Sequence, residues 1–273
     1  MSYEALGPGG LDYLPCRYGN SKILFRGPRR SLDDPFVAFF GGTTTYGKFI
    51  QTPFPDILEE DLGMKCVNFG SLNGGVDVFA TDPFLREVTT AATATVIQVT
   101  SPRNMSNRFY RVHPRRNDRF VDASALLRAI YRDVDFAEFN FTNHMLQRLI
   151  TVSPDRFEAV LEELRVSWVA RMRLVLSQIP GKTVLLWASD KTPETADCDV
   201  DAEPAFVNRA MLEEVIPMAT EYVEVVASDD AMSSGTDGMV FSEMDVPAAS
   251  KMLGPLVHNE IASALGPALR EML

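Results

Sequence analysis

The sequence predicts an α/β fold in three layers, a five-stranded parallel sheet with helices on both faces. Two observations predict it. Short, β-branched or aromatic apolar runs alternate along the chain with longer segments of helical period, and each run stops at a Gly or Pro break. No two of these runs stand close enough for a hairpin, so consecutive strands require crossovers and pair in parallel.

The elements follow in order. Residues 1 to 35 are rich in Gly, Pro and Arg, lack a sustained period, and read as an N-terminal arm pinned by Tyr3, Tyr13 and Tyr18. A single domain is expected over 36–273. Phe36 to Phe40 (FVAFF) is apolar throughout, as a central strand buried on both faces must be, and Gly41-Gly42 ends it. A helix over Pro55 to Leu62 is closed by Gly63, Lys65 to Asn68 forms the second strand, and Pro83 to Ala92 the next helix. Ala94 to Thr100 is the third strand, broken by Ser101-Pro102. Residues 121 to 150 read as a helical insertion that caps a site. Ser153 and Pro154 then start the best-marked helix, with apolar side chains from Phe157 to Leu176 and Gly181 as its end. Thr183 to Ala188 is the fourth strand, a helix is expected over about Pro204 to Thr220, Tyr222 to Ala227 is the fifth strand, and the tail from Ala248 is helical.

Composition narrows the function. With 46% hydrophobic and 23% charged residues, the chain has the makeup of a folded globular protein. The opening residues lack the basic and apolar stretches of a signal peptide, and no window is apolar enough for a membrane span. Cys16, Cys66 and Cys198 are an odd, widely spaced set that suits neither a disulfide framework nor zinc, so a reducing cytoplasm is the expected location. A net charge of −11 argues against nucleic acid as a partner. No phosphate loop, dinucleotide fingerprint or metal-ligand cluster occurs, so neither a cofactor nor a metal is expected. Oligomeric state stays open, a homo-oligomer among the options.

In a parallel sheet, ligands bind beyond the carboxyl ends of the strands, and the loops there carry the chemistry-bearing residues. The first reads Gly41-Gly42-Thr43-Thr44-Thr45-Tyr46-Gly47; the second Asn68-Phe69-Gly70-Ser71-Leu72-Asn73-Gly74; the third holds Asn104. In order and position these blocks resemble those of the SGNH (GDSL-type) hydrolases, which have a flavodoxin-like three-layer fold. The resemblance covers about residues 36 to 265 and rests on short blocks. It implies that Thr43 stands where the family has its nucleophilic serine, that Gly41, Thr45 and Gly47 keep the signature, and that Gly42 replaces an aspartate. Gly74, or Gly70 in its place, would offer a backbone N–H to the oxyanion and Asn104 a side-chain amide; such donors must be preplaced for acyl transfer. The late Asp-x-x-His block is kept at Asp237, with Val240 where the histidine belongs. The base would then be His258, on the C-terminal helix, or His113; His144 reads as structural.

Arg103, Arg108, Arg111, Arg115, Arg116 and Arg119 crowd one stretch against the single acid Asp118. Such forks bind carboxylate, sulfate or phosphate, so Arg103, Arg108 and Arg111, with Thr45, Gly70 and His113, are expected to hold a small anionic or sugar-like substrate; pairing with the 37 acidic residues is the other use for the arginines. Three readings result: an acyl-ester hydrolase or acyltransferase with Thr43 as nucleophile, a fold relative that lost its base and binds an anion, or an enzyme modifying phosphorylated or sulfated sugars with Thr43 only as a binding hydroxyl.

Overall fold

The computed structural model describes residues 9–196 and 199–273, so Cys198 and Tyr3 lie outside the described residues. Its centre is the parallel sheet the apolar runs predict, made of β1 (Phe36–Phe40), β2 (Lys65–Asn68) and β3 (Ala94–Gln98), and of two later strands, Lys182–Ser189 and Glu221–Val226. Counting the two hairpin strands described below as β4 and β5, those two are β6 and β7, and the sheet order is β2-β1-β3-β6-β7. All four pairings are parallel. The chain leaves β1 for β2 on one side and then crosses to β3 on the other, so the topological switch point lies between β1 and β3.

The strand period of two sorts the side chains into two cores. Phe36, Ala38 and Phe40 of β1 join one with Ile97, Leu185 and Trp187. Val37 and Phe39 join the other with Val96, Val184 and Leu186. The first core is closed by α3 (Val76–Ala80), α4 (Phe84–Ala91), α6 (Thr142–Val152) and α7 (Pro154–Ser177), the second by α2 (Phe54–Leu62), α9 (Asp229–Ser233) and α11 (Pro255–Met272). Helix α7 starts as its sequence predicts: the Ser153 hydroxyl accepts from the Arg156 N–H and Pro154 occupies the first turn. It ends at Ser177, before Gly181. Among the described residues no helix is long and apolar enough to cross a membrane.

Two expectations are corrected. A hairpin does exist: β4 (Tyr110–His113) and β5 (Arg116–Ala123) pair antiparallel across a two-residue turn, Pro114-Arg115. Two irregularities in its register, on either side of Val112, break the alternation by which a strand is read, and its arginines hide the buried Tyr110 and Val112. The stretch predicted as a helical insertion at 121–150 therefore begins on a strand, and continues through α5 (Ala125–Ile130) to α6. The helix expected over 204–220 is confined to α8 (Arg209–Glu213) and a 3-10 turn at Ile216–Met218, because Pro204 and Pro217 interrupt it. The short helices α1 (Thr43–Tyr46) and α10 (Val246–Ala249) complete the set.

The arm is packed down as its aromatics predict, with Tyr18, Ile23 and Phe25 entering the first core. Its polar anchor is Arg26, whose guanidinium donates to the carbonyls of Tyr46 (3.3 Å), Gly47 (2.7 Å), Ile50 (2.9 Å) and Gln51 (2.9 Å). It lies over the Tyr13 ring, and the Tyr13 hydroxyl accepts from the Phe49 N–H at 2.8 Å. These bonds close the segment after α1, whose carbonyls have no helical partner to receive them. Arg26→Met removes every donor; Gly47 keeps the Ile50 N–H and Gln51 is exposed, so the cost falls on the carbonyls of the buried Tyr46 and Ile50, about 1–3 kcal/mol each. The expected outcome is a melting temperature lower by roughly 5–10 °C, read by calorimetry.

Candidate active site

A cavity of about 270 Å³ sits at the switch point, lined by Gly42, Thr43, Asn73, Gly74, Arg103, Asn104, Asp118, Phe141, Thr142, Asn143 and Glu203. The loops after β1, β2 and β3 supply three of its walls, and β5, α6 and the loop before α8 supply the rest.

The first loop is set by Gln98, the last residue of β3 and almost fully buried. Its carboxamide oxygen accepts from the Gly42 N–H (3.2 Å), the Thr45 N–H (3.1 Å) and the Thr45 hydroxyl (2.6 Å). Thr45 is thus a scaffold residue that turns its hydroxyl away from the cavity and towards the sheet. Thr43, two positions earlier, faces the second loop: its Oγ1 accepts from the Asn73 N–H at 2.9 Å and donates to Asn73 Oδ1 at 3.3 Å. Asn73 holds φ +53°, a left-handed conformation that Asn tolerates better than most residues. Its side-chain N–H in turn reaches Asp118 Oδ2 at 3.3 Å.

The expected oxyanion donors lie on the same wall and are engaged with the protein. The Gly74 N–H donates to the Ser71 carbonyl at 2.9 Å, and Asn104 Nδ2 donates to the Asn73 carbonyl at 3.2 Å. Asn104 Oδ1 accepts from the Thr142 hydroxyl at 2.9 Å. The close packing of these loops requires glycine at 75, where a Cβ would stand 2.1 Å from the Asn104 carbonyl oxygen. Gly70 fills the same role behind the wall: a Cβ there would meet the Tyr46 nitrogen at 2.3 Å, and its N–H goes to Asn68 Oδ1.

The candidate bases are elsewhere. His258 is buried in the core on the α2 and α11 side of the sheet, where its Nδ1 accepts the Phe54 N–H at 3.1 Å and its ring stacks on Phe54. Burial, helped by the Arg26 charge, pushes its pKa down to about 3. His113 ends β4, with Nδ1 accepting the Arg115 N–H at 3.3 Å across the hairpin turn. Asp237 is exposed on a turn after α9; further along, the Val240 N–H donates to the Phe49 carbonyl at 2.8 Å and the Phe241 ring packs on that of Phe49.

The arginines do not converge. Arg103 reaches the cavity but spends its guanidinium on Glu203 (2.7 Å) and on the carbonyls of Val200 and Ala202. Arg108 pairs with Glu163 at 2.7 Å and Arg111 with Asp122 at 3.5 Å, both outside the cavity wall. The expected anion cradle is replaced by acid pairing, because Arg103 on the turn after β3, Arg108 before the hairpin and Arg111 on β4 each meet a different acid. Of the predicted site residues, Thr43, Gly74, Asn104 and Arg103 meet at one cavity, while Asp237, His258, Thr45, Gly70, Arg108, Arg111 and His113 lie outside its wall. Asn73, Asp118, Phe141, Thr142, Asn143 and Glu203 are added by the structure. Asp118 carried a signal, as the single acid among arginines, and Asn73 stood inside the Gly-rich turn. Among the described residues no cluster of His, Cys, Asp or Glu could hold a metal ion.

Residues 1–273 match the family model of a domain of unknown function, DUF6473. The chain belongs to this family. No curated protein matches the DUF6473 chain. Among solved structures it is similar to the lipase Lip_vut3 from a goat rumen metagenome, with a TM-score of 0.37 and 11% identity over 88% of this chain and 97% of that one.

Two outcomes check this description of the DUF6473 site. Gln98→Leu leaves three buried donors without their acceptor and is expected to cost about 2–4 kcal/mol in urea unfolding, with an unchanged m-value. For His258, the folded pKa lies below the unfolded value of about 6.5, so the unfolded chain takes up the proton first and stability falls as pH drops from about 6.5 towards 3. Between pH 6.5 and 5 the loss from this group is expected to be about 2 kcal/mol, and His258→Leu, whatever its overall cost, should remove that part of the pH slope.

Proposed function

We propose that this chain is an SGNH-like α/β domain whose switch-point cavity binds a small, hydroxyl-rich, sugar-like molecule and does not cleave esters by a histidine-activated hydroxyl. One observation carries this reading: Thr43, at the nucleophile position, is held in both directions by Asn73 rather than by a base. A hydroxyl attacks a carbonyl only when a neighbouring group takes its proton, and a carboxamide oxygen is far too weak a base for that. The engaged Gly74 and Asn104 donors agree with it, since an oxyanion hole requires donors aimed at the reacting atom.

The lining supports a sugar-like ligand. Three carboxamides, two hydroxyls and two carboxylates surround the cavity, with the part-exposed Phe141 ring as its one aromatic. Convergent polar groups of this kind fix the orientation of a polyol, and the ring offers an apolar face for its C–H groups. A volume of about 270 Å³ is small beside the roughly 300–1,000 Å³ of pockets that take drug-sized ligands, and suits a single sugar ring.

A second reading, acyl-ester hydrolase or acyltransferase, is favoured by the placement of Thr43, Gly74 and Asn104 around one cavity in the order the resemblance requires. One pair of assays separates the two. Titration calorimetry with neutral monosaccharides is expected to give millimolar binding, about −4 kcal/mol, weakened by Asn104→Ala, while p-nitrophenyl acetate turnover by the wild type matches that of Thr43→Ala. Turnover that disappears in a folded Thr43→Ala variant would establish the hydrolase instead.

A further inference from the structure

Building on the sugar-binding reading, we infer that the preferred ligand carries an amine beside its hydroxyls, as an amino sugar does, and that its ammonium sits against Asp118. Each side-chain group on the wall that can donate spends at least one N–H or O–H on a protein acceptor. Thr43 Oγ1 donates to Asn73, Asn73 Nδ2 to Asp118, Asn104 Nδ2 to the Asn73 carbonyl and Thr142 Oγ1 to Asn104. Asn143 Nδ2 donates to Asp201 at 3.1 Å, and the Arg103 guanidinium serves Glu203 and two carbonyls.

The acceptors are not used up in the same way. Among the described residues the Asp118 carboxylate receives one hydrogen bond, at Oδ2 from Asn73, although a carboxylate has room for about four. Asp118 is therefore the most open acceptor on the wall, and a ligand that donates to it gains the most.

Charge points the same way. Of the three charged residues on the wall, Arg103 and Glu203 neutralise each other at 2.7 Å, which leaves the half-buried Asp118 as the net charge. Asp118 makes no ion pair among the described residues. Arg119, its neighbour on β5, lies over the Phe141 ring with its guanidinium carbon 4.1 Å from the centroid. A cavity with one unmatched carboxylate repels carboxylate and phosphate esters and favours a cation that can also donate two or three hydrogen bonds. A primary ammonium on a sugar ring does both.

The test is calorimetric titration of the full chain with glucosamine, N-acetylglucosamine, glucose and glucuronate, at a pH where the amine is protonated. Glucosamine is expected to bind about tenfold tighter than glucose, the gain typical of a hydrogen bond to a charged group, with N-acetylglucosamine at the level of glucose and glucuronate weakest. Asp118→Asn should bring glucosamine to the affinity that glucose has for the same variant, and Asp118→Glu, which restores the charge, should recover part of the difference. Equal binding of glucosamine and glucose, or tighter binding of glucuronate, overturns the amine preference and leaves the sugar reading standing. If none of the four sugars binds a variant-free, folded protein, both fail together.

Discussion

A single carboxamide oxygen, that of Gln98, holds the end of the central strand and the start of the site in one piece. It takes three donors from the first loop at a depth where no water can substitute for it. Through the two Thr45 bonds it fixes the turn of α1, and through Gly42 it fixes the entry to that turn, so the direction of Thr43 is decided by a residue on β3. The loop after β1 therefore cannot move independently of the strand beside it, and the switch point of the sheet becomes a rigid corner rather than a flexible loop.

The far end of the same loop is closed by the arm. Arg26 is buried, and burial lowers its pKa, yet four carbonyls from Tyr46 to Gln51 satisfy its guanidinium. The arm crosses the sheet edge by adding Tyr18 and Phe25 to an aromatic cluster with Phe69 and Phe84. Apolar packing brings it there, and the carbonyls of one particular loop determine where it stops. On the opposite face, the half-buried Asp56 has its pKa raised by desolvation against the pull of Arg26, and His258 is kept neutral beside the same charge. The base expected for the site is thus part of the core that supports it from behind.

Electrostatics in this chain are local. The overall charge of −11 and the cluster of arginines both read as strong signals, but pairs such as Arg108–Glu163, Arg111–Asp122 and Arg173–Glu214 each have an exposed member, where such pairs add little stability. What distinguishes the cavity is the one carboxylate left over after Arg103 and Glu203 have paired, and the surrounding amides, each of which spends a bond on a protein acceptor.

The sequence by itself determined the sheet. An apolar run such as FVAFF has no polar face, so it has to be buried on both sides, and helical segments between such runs leave parallel pairing as the economical solution. It also determined which loops would meet, and so brought Thr43, Gly74 and Asn104 together. Tertiary structure decided the rest. The hairpin of β4 and β5 is illegible locally because its register breaks erase the period of two, and its formation directs Arg111 to Asp122 and Arg119 to the Phe141 ring. Whether a backbone N–H such as that of Gly74 is free, which side of the sheet His258 occupies, and which acid reaches the cavity depend on contacts between residues dozens to hundreds of positions apart. Local sequence sets only the propensity of each segment, and the directions of these donors and acceptors were fixed when the segments packed.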